Sequence, residues 1–120
     1  MNKEEERSQV AFVGWFRLQF PAWHSLLTLG SFGENVGARR MARLKQMGLT
    51  PGYPDLVLYY PKLKDDKFIP GLHIEMKTKK GRLSVDQIQI HHILKMQNYE
   101  VHIARSWEEA KEVITNYIKS

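Results

Sequence analysis

Two acidic residues and one lysine, each beside an apolar run, are the side chains in this sequence best suited to phosphate chemistry. Asp55 ends the segment Gly-Tyr-Pro-Asp, and Glu75 begins the segment Glu-Met-Lys twenty positions later (75 − 55), with Lys77 at its end. Phosphodiester hydrolysis needs carboxylates that hold a hard divalent cation and a positive charge beside the attacked phosphate. These residue types at this spacing therefore favour metal-assisted hydrolysis of a phosphodiester.

The flanking apolar runs are predicted to be strands that position these groups. Side chains alternate along residues 72–77, so Glu75 and Lys77 are expected on one face. Asp55 opens a second apolar run, at residues 56–60. If the two strands pair, Asp55 and Glu75 can converge on one cation. The alternative is that both acids are solvated, because an exposed Glu-x-Lys pair is common and contributes little stability.

Composition limits the classes of protein and of metal site. The 120 residues are 42% hydrophobic and 26% charged, which suits one globular domain over residues 1–120. No cysteine is present, so a metal must bind oxygen or imidazole, which favours Mg²⁺ or Mn²⁺ over structural zinc. No apolar run has membrane-spanning length, and the acidic start is unlike a signal peptide. We expect a cytoplasmic protein, in the host cytoplasm if it is phage-encoded, with no membrane association.

Positive charge is clustered as well as in excess. The net charge is +5 and the isoelectric point is near 9.5. One cluster lies within seven positions and the other within six. The first comprises Arg39, Arg40, Arg43 and Lys45; the second comprises Lys77, Lys79, Lys80 and Arg82. Clusters of this kind indicate a polyanionic partner, although a plain solvated face is the alternative for the first.

Periodicity and terminal signals predict an alternation of helices and strands. Helices are predicted at about 3–20, 36–47, 84–96 and 106–119, and strands at about 24–29, 55–60, 72–78 and 99–104. A glycine-bearing stretch with Gly30, Gly33 and Gly37 precedes the second helix, and residues 61–67 form a polar hairpin loop. Ser84 and Ser106 each begin a capping-box pattern. The pattern favours an α/β domain with a mixed central sheet.

Several of these segments, taken in order, resemble the VRR-NUC (virus-type replication-repair nuclease) family of the PD-(D/E)xK nuclease superfamily. The matching segments are Glu6-x-x-Gln9, Asn35-Val36-Gly37-Ala38-Arg39-Arg40, Leu44-Lys45-x-x-Gly48, Gly52-x-Pro54-Asp55-Leu56, Ile74-Glu75-x-Lys77-Thr78, Lys80-Gly81-x-Leu83-Ser84-x-x-Gln87 and Leu94-x-x-x-x-Tyr99-x-Val101. The resemblance implies a PD-(D/E)xK restriction-endonuclease-like fold and is closest to the stand-alone phage and bacterial type. It also implies a DNA substrate and no small-molecule organic cofactor.

Residue roles follow for the central acids and the lysine. Asp55 and Glu75 are expected to ligate Mg²⁺, with Mn²⁺ as a substitute, and the resemblance adds the backbone carbonyl of Met76 as a third oxygen. Lys77 is expected beside the phosphate or the attacking water, where its charge stabilises the transition state.

Two further site residues are less determined by the sequence. The resemblance implies a glutamate in the first helix that completes the metal environment. Glu4, Glu5 and Glu6 are candidates, and Glu6 is preferred because Gln9 lies three residues on; all three could instead complement the helix dipole.

The resemblance places Gln87 near Lys77, where it would hold water or phosphate. It could instead cap its own helix, and Gln89 is the substitute if the helix register is shifted.

None of the histidines is assigned to the metal. His91 and His92 are adjacent and diverge on a helix, while His73 and His102 lie among apolar neighbours in strands. Two copies of the chain are expected to form a homodimer, because one small domain offers little surface for gripping a duplex. The interface is not identified, and the aromatic group Trp15, Phe16, Phe20 and Trp23 is best explained by packing beneath the sheet.

The resulting hypothesis is a metal-dependent DNA endonuclease. The resemblance implies a role in repair or recombination and a preference for branched, junction or nicked DNA. Two alternatives stay open: a non-catalytic nucleic-acid-binding module of the same fold, and an RNA-directed nuclease.

Overall fold

A mixed four-stranded sheet forms the centre of the structure. The computed structural model describes residues 2–31 and 36–120. Its strands are β1 (Leu27–Leu29), β2 (Leu56–Leu58), β3 (Lys62–Lys64), β4 (Lys67–Ile69), β5 (Leu72–Met76) and β6 (Glu100–Ala104). The main sheet has the order β1-β2-β5-β6, with the first two pairings antiparallel and the last parallel.

Helices flank this sheet, as the α/β prediction requires. They are α1 (Lys3–Gln19), α2 (Ala38–Gln46), α3 (Val85–Met96) and α4 (Trp107–Lys119), with a 3₁₀ helix at Pro21–Leu26. Helices α1 and α4 pack against each other and on one face of the sheet, and α3 packs along β6 on the opposite face. The predicted mixed sheet flanked by helices is confirmed. No helix among the described residues is long and apolar enough to cross a membrane.

The principal core lies between the sheet and helices α1 and α4. All five residues of β5 are buried, so this strand is covered on both faces. On the α1 and α4 face the core contains Phe12, Phe16, Leu56, Leu58, Leu72, Ile74, Met76, Ala104, Ala110 and Ile114. Trp15, Phe20 and Trp23 are partly buried against it. Packing beneath the sheet therefore accounts for much of the aromatic surface in the first segment of the chain.

One predicted capping box forms completely and the other only in part. The hydroxyl of Ser84 accepts from the N–H of Gln87, whose side-chain Oε1 accepts in return from the N–H of Ser84. At α4 the hydroxyl of Ser106 accepts from the N–H of Glu109 (3.1 Å), but the carboxylate of Glu109 accepts from the N–H of Arg105 instead (3.1 Å). The reciprocal bond predicted for Ser106 is therefore replaced by one to the preceding residue.

Two loop regions differ from the predicted pattern. Residues 24–26 belong to the 3₁₀ helix that Pro21 begins, so β1 starts only at Leu27, where pairing with β2 holds it extended. The predicted hairpin loop at 61–67 contains strand β3 and the first residue of β4, joined at Asp65 and Asp66 with φ of 52° and 64°. These angles are those of a tight type I′ turn, which matches the twist of a two-stranded hairpin. Gly33 and Asn35, from the predicted glycine-bearing stretch, lie outside the described residues.

The buried face of α1 should dominate its contribution to stability. Phe16 is fully buried, whereas Leu18 on the same helix is 86% exposed. We expect Phe16→Ala to lower the free energy of unfolding by about 3–5 kcal/mol, because a large cavity replaces the ring. Leu18→Ala should change it by less than about 0.5 kcal/mol. Urea denaturation of both variants measures the difference, and similar losses in the two would contradict the assignment of the core.

Candidate active site

The pairing of β2 with β5 brings two carboxylates face to face. Leu56 pairs with Ile74 in this antiparallel register, and continuing it by one residue places Asp55 opposite Glu75. The alternation of side chains puts both acids on the sheet face that α3 covers. Asp55 is 7% exposed and Glu75 is 2% exposed. The sequence expectation that these two side chains converge is therefore realised in the geometry.

The backbone of β5 contacts the first of these acids. The N–H of Met76 donates to Oδ2 of Asp55 (2.7 Å). The N–H and C=O of one strand residue point to the same side, so the Met76 carbonyl also lies on the Asp55 side of β5. Asp55, Glu75 and this carbonyl thus bring oxygen atoms to one end of the β2–β5 pair.

A glycine holds the turn before Asp55 close to α3. Gly52 has φ of 104°, in the region that favours glycine, and a Cβ there would collide with the backbone carbonyl of Asp86. On the other side of the turn, the N–H of Gly30 donates to the carbonyl of Asp55 (2.9 Å). The acid is therefore fixed between the end of β1 and the start of α3.

Helix α3 supplies two side chains that contact Glu75. Nε2 of Gln87 donates to Oε2 of Glu75 (3.3 Å), and Nε2 of His91 lies 3.3 Å from Oε1. Gln87 and His91 are four residues apart and so share one helix face. Oε1 of Gln87 caps the helix at Ser84 (2.9 Å), so the amide has the capping role considered for it and also contacts Glu75. Gln89 is exposed.

His91 is the site residue that sequence reasoning missed. Adjacent histidines were expected to diverge, and they do, since His91 is buried and His92 is exposed. The divergence turns His91 towards Glu75. The signal that could have found it is its spacing of four from Gln87, once Gln87 is assigned to the site.

Lys77 brings a positive charge to the same group. Its Nζ lies 3.9 Å from Oε2 of Glu75, and its side chain is 14% exposed. The turn that follows is braced by Arg105, whose Nη1 donates to the carbonyls of Thr78 (2.8 Å) and Gly81 (2.7 Å). Arg105, which no sequence pattern singled out, therefore fixes the backbone that follows Lys77.

Apart from Lys77, the residues of the two basic clusters are solvent-exposed. Lys79, Lys80 and Arg82 lie on the segment between β5 and α3, and Arg39, Arg40 and Arg43 lie on α2. The second cluster begins at Lys77, which follows Glu75 closely in the sequence, whereas the first cluster lies on a separate helix.

Burial and like charge shift the titration of the site. The pKa of Asp55 is raised to about 7, chiefly by burial and then by the neighbouring Glu75, against the Met76 hydrogen bond and the charge of Lys77. Burial also raises the pKa of Glu75. It lowers the pKa of His91, with Lys95 and Lys77 adding to the effect, so the neutral imidazole is favoured. The positive charge near the two acids therefore does not fully compensate for their burial.

The first helix presents a different glutamate from the one preferred on sequence grounds. Glu5 is half-buried, and its charge contributes to the raised pKa of Glu75. Glu6 is exposed. Gln9 lies four residues after Glu5, on the same helix face, and its Oε1 is buried with no hydrogen-bond partner among the described residues. Burial and this effect on Glu75 thus favour Glu5 over Glu6 as the acid of α1 that acts on the site.

The donor set fits a hard divalent cation in type, although it is small. Across residues 2–31 and 36–120, no three acidic or histidine side chains converge as a metal-binding group. The convergent donors are the carboxylates of Asp55 and Glu75 with the Met76 carbonyl, all oxygen atoms of the kind that Mg²⁺ prefers. A cation there would offset the burial that raises the pKa of both acids and the charge of Glu75 that further raises the pKa of Asp55.

Replacing Asp55 tests this electrostatic account in the metal-free protein. A carboxyl whose pKa is higher in the folded state binds more protons there than in the unfolded chain, so its contribution to stability falls as pH rises from about 4 to about 7. We expect the melting temperature of Asp55→Asn to exceed that of the wild type by an amount that grows across this interval. Thermal unfolding in a chelator, measured at several pH values, gives the difference.

The informative quantity is the difference in melting temperature between Asp55→Asn and the wild type, because a buried histidine makes stability change with pH in the opposite direction. Burial lowers the pKa of His73 to about 4, so the folded protein binds fewer protons at this residue than the unfolded chain does. The folded state therefore becomes more stable as pH rises through the same range. That contribution is common to both proteins. Asp65→Asn, which removes an exposed acid in the β3–β4 turn, is the matched control. A pH-independent difference for Asp55→Asn would contradict the raised pKa.

The comparisons with known proteins agree with this arrangement. A solved structure described as "VRR_NUC domain protein" aligns with 99% of this chain and 91% of its own, with a TM-score of 0.81 and 22% sequence identity, which shows a shared fold. No curated protein matches the chain. The sequence model of the VRR-NUC domain matches residues 3–108. That match covers most of the chain and implies a nuclease-type function, and the protein therefore belongs to the VRR-NUC domain family.

Proposed function

We propose that this protein is a metal-dependent DNA endonuclease with a PD-(D/E)xK active site. It would hydrolyse phosphodiester bonds with Mg²⁺, for which Mn²⁺ substitutes, and select branched, junction or nicked DNA in repair or recombination. The observation that carries the proposal is the pair of buried carboxylates, Asp55 and Glu75, with Nζ of Lys77 3.9 Å from Oε2 of Glu75. The nuclease-type function of the family supports it.

In this proposal each site residue has one task. Asp55, Glu75 and the Met76 carbonyl would hold the cation, which would supply polarisation of the phosphate and a lower pKa for the attacking water. Lys77 contributes its charge at the phosphate, where negative charge increases in the transition state. Its side chain is only 14% exposed, so water weakens this interaction less than at an open surface.

Residues of two helices complete the proposed site. Gln87 holds Oε2 of Glu75 through its amide, and its fixed position at the helix N-terminus limits the rotamers of both groups. Glu6 was the sequence choice for the acid of α1. We propose that Glu5 has this role, because its charge reaches Glu75. The carboxylate of this α1 glutamate would act on the metal environment through water.

Substitution of the two acids tests the core of the proposal. Asp55→Ala and Glu75→Ala should each abolish cleavage while DNA binding persists, because phosphate affinity comes mainly from lysine and arginine. Lys77→Ala should slow cleavage with little change in metal affinity. Glu112→Ala, at an exposed acid of α4, is the matched control and should retain full activity. Cleavage by either acid variant would place the site elsewhere.

The substrates of that assay separate the alternatives. Duplex, single-stranded, forked and four-way DNA and one RNA would be incubated with Mg²⁺ or Mn²⁺. Cleavage of RNA alone would favour the RNA-directed nuclease, and binding without cleavage under any condition would favour a non-catalytic module. Metal binding has its own readout: Mg²⁺ should raise the melting temperature of the wild type and leave that of Asp55→Asn unchanged.

His91 is expected to position Glu75 rather than to touch the substrate. Its Nε2 lies 3.3 Å from the carboxylate, and groups of this kind affect metal affinity or activity by about 10- to 100-fold. We expect a loss of that size in His91→Leu, measured as Mg²⁺ affinity by calorimetry as well as turnover. His91→Gln should recover part of it, since its amide can donate. The neighbouring His92→Leu should behave as the wild type.

The two basic clusters are proposed to bind phosphate. Replacing Arg39, Arg40 and Arg43 with alanine tests one, and replacing Lys79, Lys80 and Arg82 tests the other. Each lost phosphate contact should reduce the slope of log affinity against log salt by about 0.9 on duplex DNA. Fluorescence anisotropy over a salt series gives the slope. An unchanged slope would make that cluster a solvated surface.

We also propose that residues 1–120 form one nuclease domain and that two copies act as a homodimer. A two-fold pair would double the phosphate contacts and present an active site to each strand of a duplex. Light scattering under the conditions of the cleavage assay measures the mass of the protein in solution. A single-chain mass with full activity would contradict the dimer.

A further inference from the structure

The outer edge of β6 carries backbone groups that point away from the sheet. Strand β6 pairs with β5, and no other strand among the described residues pairs with its opposite edge. The N–H of Glu100 donates to Gly71, and the carbonyl of Ala104 accepts from Lys77, so these alternate residues face β5. The N–H and C=O groups of Val101 and Ile103 therefore point outward.

A cavity lies on each side of this edge. The cavity on the α4 side is about 380 Å³ and the one on the α3 side is about 450 Å³. His102 contributes to both, because it lies on the edge strand between them. A strand added to β6 would direct alternate side chains to opposite faces of the sheet, and so into the two cavities in turn.

The two cavities differ in chemistry. The α4 side carries three glutamates, Glu100, Glu109 and Glu112. They outnumber the nearby lysines, which are Lys64 in the wall and Lys62, whose Nζ lies 3.9 Å from Oε2 of Glu100. The α3 side is mixed: Leu83, Ile88, Val101 and Ile103 form an apolar wall, and Lys95 and the histidines form a polar one. Basic side chains suit the first cavity, and aliphatic side chains suit the apolar wall of the second.

We propose that the β6 edge binds an extended peptide segment of another protein, with lysine or arginine alternating with aliphatic residues. The backbone groups of Val101 and Ile103 supply the hydrogen bonds, and the two cavities supply the side-chain selection. Natural edge strands are commonly protected by charged side chains, especially lysine, or by proline. Strand β6, with the sequence Glu-Val-His-Ile-Ala, has one charged residue at its start and contains neither lysine nor proline. The edge is thus suited to pairing.

Charge argues against a second copy of this chain as the occupant. Two β6 strands related by a two-fold axis through the sheet would keep the α4 face of one beside the α4 face of the other. Glu109 and Glu112 of both copies would then lie on the same face of the joined sheet, and like charges brought together oppose association. A basic peptide has the complementary charge.

A synthetic peptide of roughly seven residues, alternating lysine and valine, is a direct probe. Two N-methylated forms are the matched controls, one methylated on the lysine amides and one on the valine amides. Only one of these sets faces β6, so one form should bind and the other should not. Amide resonances of Val101 and Ile103 should shift most on titration, followed by NMR. A glutamate–valine peptide should fail to bind.

Two substitutions separate the backbone and side-chain contributions. Ile103→Pro removes an outward N–H and should abolish peptide binding. Glu112→Lys, on an exposed position that leaves the fold intact, should weaken binding by roughly two- to fivefold at low salt. These measurements use no DNA and so do not depend on the proposed nuclease activity.

Three results would overturn the proposal. Equal binding of both N-methylated forms would indicate charge attraction without strand pairing. Absence of binding by every peptide would leave the edge solvated. Light scattering that gives a two-chain mass, reduced to one chain by Ile103→Pro, would make the edge a self-association surface.

Discussion

The confinement of two carboxylates at adjacent positions of a buried strand pair is the constraint on which this structure depends. Asp55 and Glu75 face each other across β2 and β5, and burial raises the pKa of both. A repulsive pair of this kind persists only where the surrounding structure holds it in place. The remaining features of the site are contacts that hold these two groups or partly neutralise them.

Those contacts come from elements that are themselves tightly held. The Met76 N–H belongs to a strand paired on both sides, and Gln87 begins a helix whose capping box it completes. His91 follows one turn later on the same face. The amide of Gln87 therefore couples the start of α3 to the orientation of Glu75. A displacement of the first turn of α3 would change the position of this carboxylate.

The two faces of the sheet have different roles: one packs against the apolar core, and the other carries the polar groups of the site. The α1 and α4 face holds the aromatic and aliphatic core, with Phe12 and Phe16 fully buried. The α3 face of the central strands carries His73, Glu75 and Val57, and therefore polar groups at high burial. Strand β5 presents Ile74 and Met76 to one side and Glu75 to the other. A rigid apolar layer thus lies directly behind the proposed active site.

What the sequence alone determined is the local chemistry. The alternation in residues 72–77 puts Glu75 and Lys77 on one face, the signal at Ser84 starts α3, and the order of elements predicts the mixed α/β sheet. Each depends on a few neighbouring residues whose backbone preferences are strong. The family resemblance then added the roles, and the family itself is confirmed.

Tertiary structure decided which of several equivalent residues reach the site. Glu5 and Glu6 are indistinguishable by composition, but in the folded chain Glu5 is half-buried and its charge acts on Glu75, whereas Glu6 is exposed. The same applies to His91 and His92, whose positions on α3 differ by about 100° around the helix axis. Glu109 likewise bonds to Arg105 rather than to Ser106. Helix rotation is set by packing between elements distant in sequence, which no local pattern encodes.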